Sequence, residues 1–150
     1  MNVLYIFTDG GAKGNPGPAA VAFIVKTSRG KILVEQGKFI GQTTNNVAEY
    51  RAVIEALKWL RNNLINSVNS VNFFLDSKLV VNQLNGLFKV KNKSLRSLIV
   101  EVRKLEQEIG GNVFYNFIPR EKNRKADFLV RTVLAQGAQN DPIIFRFRSN

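Results

Sequence analysis

The sequence predicts an α/β fold in which one five-stranded mixed sheet carries helices on both faces. Two observations predict it. Apolar runs of strand length recur along the 150 residues, and the first three follow one another with only turn residues between them. Beyond them, strand-like runs alternate with stretches whose apolar residues recur at helical spacing. The order reads β-β-β-α-β-α-α-β-α. A meander followed by strand–helix crossovers makes one mixed sheet, with the first three strands antiparallel.

Each element has its own signature. Val3 to Phe7 is an apolar run that stops at Asp9, and a loop dense in Gly and Pro follows through Pro18. Ala19 to Lys26 is a second strand, Ser28-Arg29-Gly30 a hairpin turn, and Lys31 to Ile40 a third strand with Ile32, Val34 and Phe39 inward. Thr43-Thr44-Asn45-Asn46 starts a helix, because these side chains cap free backbone N–H groups. Its apolar residues Val47, Tyr50, Val53, Ile54, Leu57 and Leu60 carry it to about Asn63, with Glu49 expected in the first turn. A polar connection, Asn66 to Ser70, leads to the strand Val71–Leu75, which ends at Asp76.

A short helix follows, with Leu79, Val80, Gln83 and Leu84 on one face and Gly86 stopping it. After the basic linker Lys89–Lys93, Ser94 caps an amphipathic helix whose inward residues are Leu95, Leu98, Ile99, Val102 and Leu105, ended by Gly110-Gly111. Val113–Ile118 is the fifth strand. The last helix turns Ala126, Leu129, Val130, Val133 and Leu134 inward and holds Asp127 in its first turn. Residues 1–140 make one domain of a length that buries a real core, and 141–150 a tail. In that tail Phe145 and Phe147 alternate with Arg146 and Arg148, as in an edge strand with one face packed on the body, or as in an aromatic-basic clamp on nucleic acid.

Composition narrows the chemistry. With no Cys there is no disulfide framework and no thiolate metal ligand; with no His there is no imidazole base and no histidine-ligated zinc. No apolar run spans a membrane and no secretory signal is visible, so the expected setting is cytoplasmic. The formal net charge of +11 favours a polyanion, foremost nucleic acid. Against that background the few acids stand out. Asp9 and Asp76 end two strands that are neighbours if those strands are parallel, and ligand sites collect at that edge. Glu49 and Asp127 begin helices near it. Four such groups around one point repel one another without cations, and an all-oxygen donor set suits Mg²⁺ or Mn²⁺. Two ions about 4 Å apart activate a water and stabilise a leaving oxygen in phosphodiester cleavage without any histidine. Taken singly, Glu49 and Asp127 also read as ordinary helix N-terminal acids.

Four segments in order resemble type 1 ribonuclease H, over Met1 to about Gln136: Thr8-Asp9-Gly10-Gly11 with Gly14-Asn15-Pro16-Gly17; Thr44-Asn45-Asn46-Val47-Ala48-Glu49-Tyr50; Leu75-Asp76-Ser77 with Val80-Val81-Asn82-Gln83-Leu84-Asn85-Gly86; and Pro119-Arg120-Glu121-Lys122-Asn123 with Ala126-Asp127. The resemblance implies a ribonuclease H-like sheet in which the first, fourth and fifth strands are parallel. It implies endonucleolytic cleavage of the RNA strand of an RNA/DNA hybrid with two Mg²⁺ or Mn²⁺ ions, giving 5′-phosphate and 3′-hydroxyl ends, with double-stranded RNA as a side substrate and a monomeric enzyme. Asp9, Glu49, Asp76 and Asp127 match the family's metal-binding acids. Asn15, Asn45 and Asn46 match positions at the hybrid's minor groove, where an amide both donates to and accepts from a 2′-hydroxyl. Thr44 matches a position in a DNA-phosphate pocket. Gly10, Gly11 and Asn82 fall in the same nucleic-acid-facing motifs.

The chain also departs from the family. Many bacterial relatives carry a His in the loop before the last acid; residues 120–125 offer none, which leaves Glu121 or a Lys to substitute, or the step unassisted. Lys78 stands where a base-contacting Gln is frequent, and suits phosphate instead. The long basic protrusion is absent, with only Lys89 to Arg96 near its place. Affinity then rests on that run and on Arg120, Lys122, Arg124 and Lys125.

Overall fold

The computed structural model describes residues 3–63, 68–110 and 112–147. Asn66 and Ser67 of the expected polar connection, Gly111 of the expected helix stop, and Arg148 of the tail lie outside them. The described elements are strands β1 (Val3–Ala12), β2 (Gly17–Thr27), β3 (Ile32–Thr43), β4 (Ser70–Leu75), β5 (Val113–Phe117) and β6 (Ile143–Phe147), with helices α1 (Asn45–Asn63), α2 (Lys78–Leu84), α3 (Lys93–Ile109) and α4 (Arg124–Gln136). They form one six-stranded sheet in the order β5-β4-β1-β2-β3-β6. β1, β2 and β3 are antiparallel, and β4 lies parallel to both β1 and β5.

Alternation along the strands separates two cores. Leu4 and Ile6 of β1, Phe23 and Val25 of β2, and Val71, Phe73 and Leu75 of β4 pack against Tyr50, Val53, Leu57 and Leu60 of α1 and Val102 and Leu105 of α3. Ala20, Ala22 and Ile24 of β2 face Ala126, Leu129, Val130 and Val133 of α4 on the opposite side. Small alanines on that side let α4 sit close to the sheet. Each fully buried Leu or Phe contributes roughly 1.5–3 kcal/mol. No helix of the described residues is long and apolar enough to cross a membrane.

Several expectations are corrected. β1 does not stop before Asp9; it continues to Ala12, because its pairing with β2 runs to Ala12↔Ala19. Its pairing with β4 ends at Phe7↔Phe74, since the chain leaves β4 for α2. β1 thus outruns β4, and Asp9 lies in the strand just past that last pair. Glu49 is in the second turn of α1, not the first, because Thr44 caps a helix that starts at Asn45, its Oγ1 accepting from Val47 N at 3.3 Å. Asn92, not Ser94, caps α3, accepting from Leu95 N at 3.1 Å. Leu79 points outward and Val81 inward, because α2 docks through Val80, Val81, Gln83 and Leu84.

The sheet has a sixth strand because the tail pairs antiparallel with the free edge of β3. Its alternation is broken by a register shift at Glu35/Gln36. As a result Phe145 joins the α4 core, while the Phe147 ring meets Trp59 of α1 at 6.2 Å. The tail therefore packs on both sides of the sheet rather than one.

Candidate active site

The opening where β1 outruns β4 gathers three carboxylates. Asp9 comes from β1, Asp76 is the first residue beyond β4, and Glu49 reaches in from α1; each offers an oxygen within 4.8 Å of the others. α1 comes this close because residue 10 is glycine. A Cβ there would stand 2.2 Å from the Ala48 carbonyl oxygen, so Gly10 admits the helix backbone one residue from Glu49. Ser77 fixes the other wall by capping α2, its Oγ accepting from Val80 N at 3.3 Å.

Among the described residues, no Lys or Arg forms an ion pair with Asp9, Glu49 or Asp76. The cost appears in the titration of Asp9 and Glu49. Burial, then the charges of Asp76, Glu49 and Asp127, push the Asp9 carboxyl up to about 8, against a hydrogen bond from the Gly10 backbone. Burial, then Asp76, pushes Glu49 up to about 7; the Ser77 hydroxyl and Arg120 act the other way. Three close oxygen donors that no ion pair among the described residues neutralises, with only the more distant Arg120 charge acting on Glu49, fit a hard divalent cation.

Asp127 stands apart from this group. It borders the same pocket of about 420 Å³, with Asp9, Gly11, Asn45, Glu49 and Arg120. Its Oδ2 receives Arg131 Nε at 3.1 Å, one helical turn along α4. Of the other sequence-predicted residues, several hold the site's frame. Asn45 Oδ1 accepts from Ala12 N at 2.8 Å and Asn15 Oδ1 accepts from Asn45 N at 3.0 Å, which ties the glycine-rich turn to the start of α1. Thr44 is the cap of α1 and Asn46 is exposed beside it. Lys78 Nζ lies 5.4 Å over the Phe117 ring. Asn82 is half-buried on α2; its carbonyl accepts from Leu87 N at 2.8 Å. Arg120 and Lys122 project from a single 3-10 turn, and of the two only Arg120 lines the pocket.

Sequence reasoning passed over Asn123. An Asn directly before a helix reads as a cap, yet its side chain makes no capping bond. Instead Nδ2 donates to the Thr8 carbonyl at 2.9 Å and to Asp76 Oδ2 at 3.1 Å, so one buried amide joins the loop before α4 to β1 and to the carboxylate. Only its place in the fourth motif pointed to it. Arg131 was also missed, although its spacing of four from Asp127 is that of a helical ion pair.

Fold and site together define a reverse-transcriptase-like domain, and the family model of that description matches residues 7–133. A bifunctional protein of Mycobacterium tuberculosis is 37% identical over 136 residues, which cover 90% of this chain and 36% of that protein. The ribonuclease HI of Halobacterium salinarum is 34% identical over 131 residues, 87% of this chain and 64% of the relative. The chain thus spans about a third of the first relative's length and just under two thirds of the second's. The crystal structure of LC11-RNase H1 in complex with an RNA/DNA hybrid superposes with a TM-score of 0.85 at 40% identity, covering 89% of this chain and 97% of that one. The chain belongs to the type 1 ribonuclease H family.

Proposed function

We propose that the chain is an endoribonuclease that hydrolyses the RNA strand of RNA/DNA hybrids with two divalent cations, Mg²⁺ or Mn²⁺, leaving 5′-phosphate and 3′-hydroxyl ends. The observation that carries this reading is the triad of Asp9, Glu49 and Asp76, close enough to share a cation and held in no ion pair among the described residues. Bound there, the cations supply an activated water and stabilise the leaving oxygen.

The chain's own groups divide the remaining work. Asp9 and Asp76 flank the reacting phosphate, and Glu49 closes the triad on the water's side. Asp127 holds the second, more labile position; its separation from the triad and its pairing with Arg131 support a weaker grip. Asn15 and Asn45 spend their Oδ1 atoms on backbone N–H groups, which leaves their amide NH₂ groups to donate to a 2′-hydroxyl in the minor groove, with Asn46 beside them. Thr44, Lys78, Asn82, Arg120 and Lys122 border the path of the phosphate backbones, Gly11 keeps the floor low, and Gly10 lets α1 close on the strand beneath it. Such contacts position the duplex without reading sequence. The nuclease unit is residues 1–140 with β6 of the tail paired onto its sheet, acting as a monomer in the cytoplasm, with double-stranded RNA as a side substrate.

A gel assay of RNA/DNA hybrid, duplex RNA and duplex DNA, each with Mg²⁺, Mn²⁺ or chelator, tests the reading. Cleavage of the hybrid's RNA strand that needs the metal is the expected result. Binding without cleavage at every metal concentration would overturn it.

A further inference from the structure

The sheet face that carries α4 is only partly covered. α4 packs over β1, β2 and β3. Beyond its edge the same face continues across β1, β4 and β5 in two cross-strand rows. The first row is Lys26, Tyr5, Asn72 and Phe114; the second is Phe7, Phe74 and Asn116, which continues outward from Ile24 in the core under α4. The rings interlock: Phe7 and Phe74 stack at 5.0 Å with 20° between planes, and Tyr5 meets Phe74 edge-on at 5.7 Å. Lys26 Nζ lies 5.2 Å over the Phe7 ring. The Asn116 amide is held against β4, its Nδ2 donating to Phe73 O at 3.1 Å. Phe114, at the open end of the first row, is 53% exposed.

We propose that this face is a stacking platform for unpaired nucleotides, separate from the groove that takes the hybrid. Three features select that occupant. Ring faces on a rigid sheet stack on bases only where bases are not already stacked in a duplex. Neither row contains an acidic side chain, Lys26 stands at its rim, and Arg29 and Lys31 follow it in the exposed hairpin. A second copy of the chain would bring a like net charge of +11 onto the first. The platform also adjoins the carboxylate centre. Asp9 lies two residues beyond Phe7 on the same side of β1, about 7 Å along the strand. Unpaired nucleotides that continue from a strand held at the carboxylates would cross the half-buried edges of Phe7, Phe74 and Tyr5 and stack on Phe114, the exposed ring of the two rows. Uridine and thymidine oligomers offer the same stacking chemistry, and the proposal holds for either.

The test is fluorescence anisotropy of labelled 12-nucleotide oligouridylate and oligothymidylate, in chelator so that nothing is cleaved. Phe114→Ala is expected to weaken binding about tenfold, Phe114→Tyr to leave it near wild type, and Lys26→Ala to weaken it less and to flatten its salt dependence. Blunt hybrid cleavage by Phe114→Ala should stay at the wild-type rate. Equal oligomer affinity for wild type and Phe114→Ala would overturn the platform. So would a wild-type dimer in size-exclusion chromatography that Phe114→Ala splits. Failure of the wild type to cleave blunt hybrid would remove the nuclease reading and leave the platform standing, because the two are measured separately.

Discussion

A buried carboxylate and a half-buried carboxylate cluster lie near the start of α4, and the protein treats them in opposite ways. Glu35, on β3, is 3% exposed; Lys125 Nζ approaches its Oε2 at 2.8 Å and Arg146 Nε its Oε1 at 3.3 Å. Asp9, Glu49 and Asp76 meet within 4.8 Å, and among the described residues no cation pairs with them. One cluster is neutralised from within and joins three elements, β3, α4 and β6. The other is held together by backbone geometry against its own repulsion. A buried carboxylate is costly unless something offsets its charge. The contrast therefore separates a carboxylate used to hold the fold from carboxylates kept open for a ligand of opposite charge.

The largest expected effect breaks the open cluster. Asp9→Asn or Asp76→Asn should lower hybrid cleavage roughly a thousandfold or more, because the change removes an anionic oxygen from the metal set. The same variants should melt no lower than wild type in chelator, since each relieves like-charge repulsion. Wild-type cleavage by either variant would sink the assignment.

Breaking the closed cluster should do the reverse. Glu35→Gln leaves Lys125 and Arg146 without their anion and should cost about 2 kcal/mol, reduced from the fully buried case because both cations are partly exposed. Thermal melts would read this as a drop of about 5 °C, with cleavage per folded molecule unchanged.

A smaller effect is expected at the joint between loop and site. Asn123→Ala removes the amide that bridges Thr8 O and Asp76 Oδ2. Cleavage should fall about tenfold and the metal concentration for half-maximal rate should rise, as for a lost partner behind a metal ligand. A purely structural role would lower the melting temperature and leave the metal titration where it was.

The smallest effect is a shift with pH. Asp9 has a folded value of about 8 against 3.8 in the open chain, and Glu49 about 7 against 4.5. Between those limits Asp9 and Glu49 bind more protons in the folded protein than in the unfolded one, so their contribution to metal-free stability should be full below about pH 4 and should be lost as pH rises to about 8. Divalent cations should offset that loss. In melts, added Mg²⁺ or Mn²⁺ should raise the midpoint by several degrees more at pH 8 than at pH 5. An equal rise at both values would mean that the cations bind elsewhere.

Much of this was legible in residue order. Period-two and helical spacing located the five strands and four helices. The carboxylates that follow short apolar runs marked Asp9 and Asp76. The tail's alternating Phe and Arg read as an edge strand or as a clamp on nucleic acid, and it pairs as an edge strand. What misled was local reasoning applied to non-local facts. The length of β1 depends on β2 beside it, so a Gly-rich sequence read as loop is strand through Ala12. Asn123 was passed over because nothing in the neighbouring residues reveals that Thr8 O and Asp76 lie within reach of its amide. Phe145 and Phe147 fall on different faces because of a bulge set by pairing with β3.

By itself, the order of residues determined the periodicity of each element, the cap of α1 and the glycine stops, and the supply of acids on a basic chain free of histidine and cysteine. Those are properties of short windows, where covalent spacing settles which side chains share a face. Tertiary structure alone decided which acids meet and which of them receive a counter-charge. Lys125 and Arg146 reach Glu35, while Asp9, Glu49 and Asp76 are left to one another, because charge pairing is settled by distance in space and these residues are brought together only when the sheet and α4 close around them.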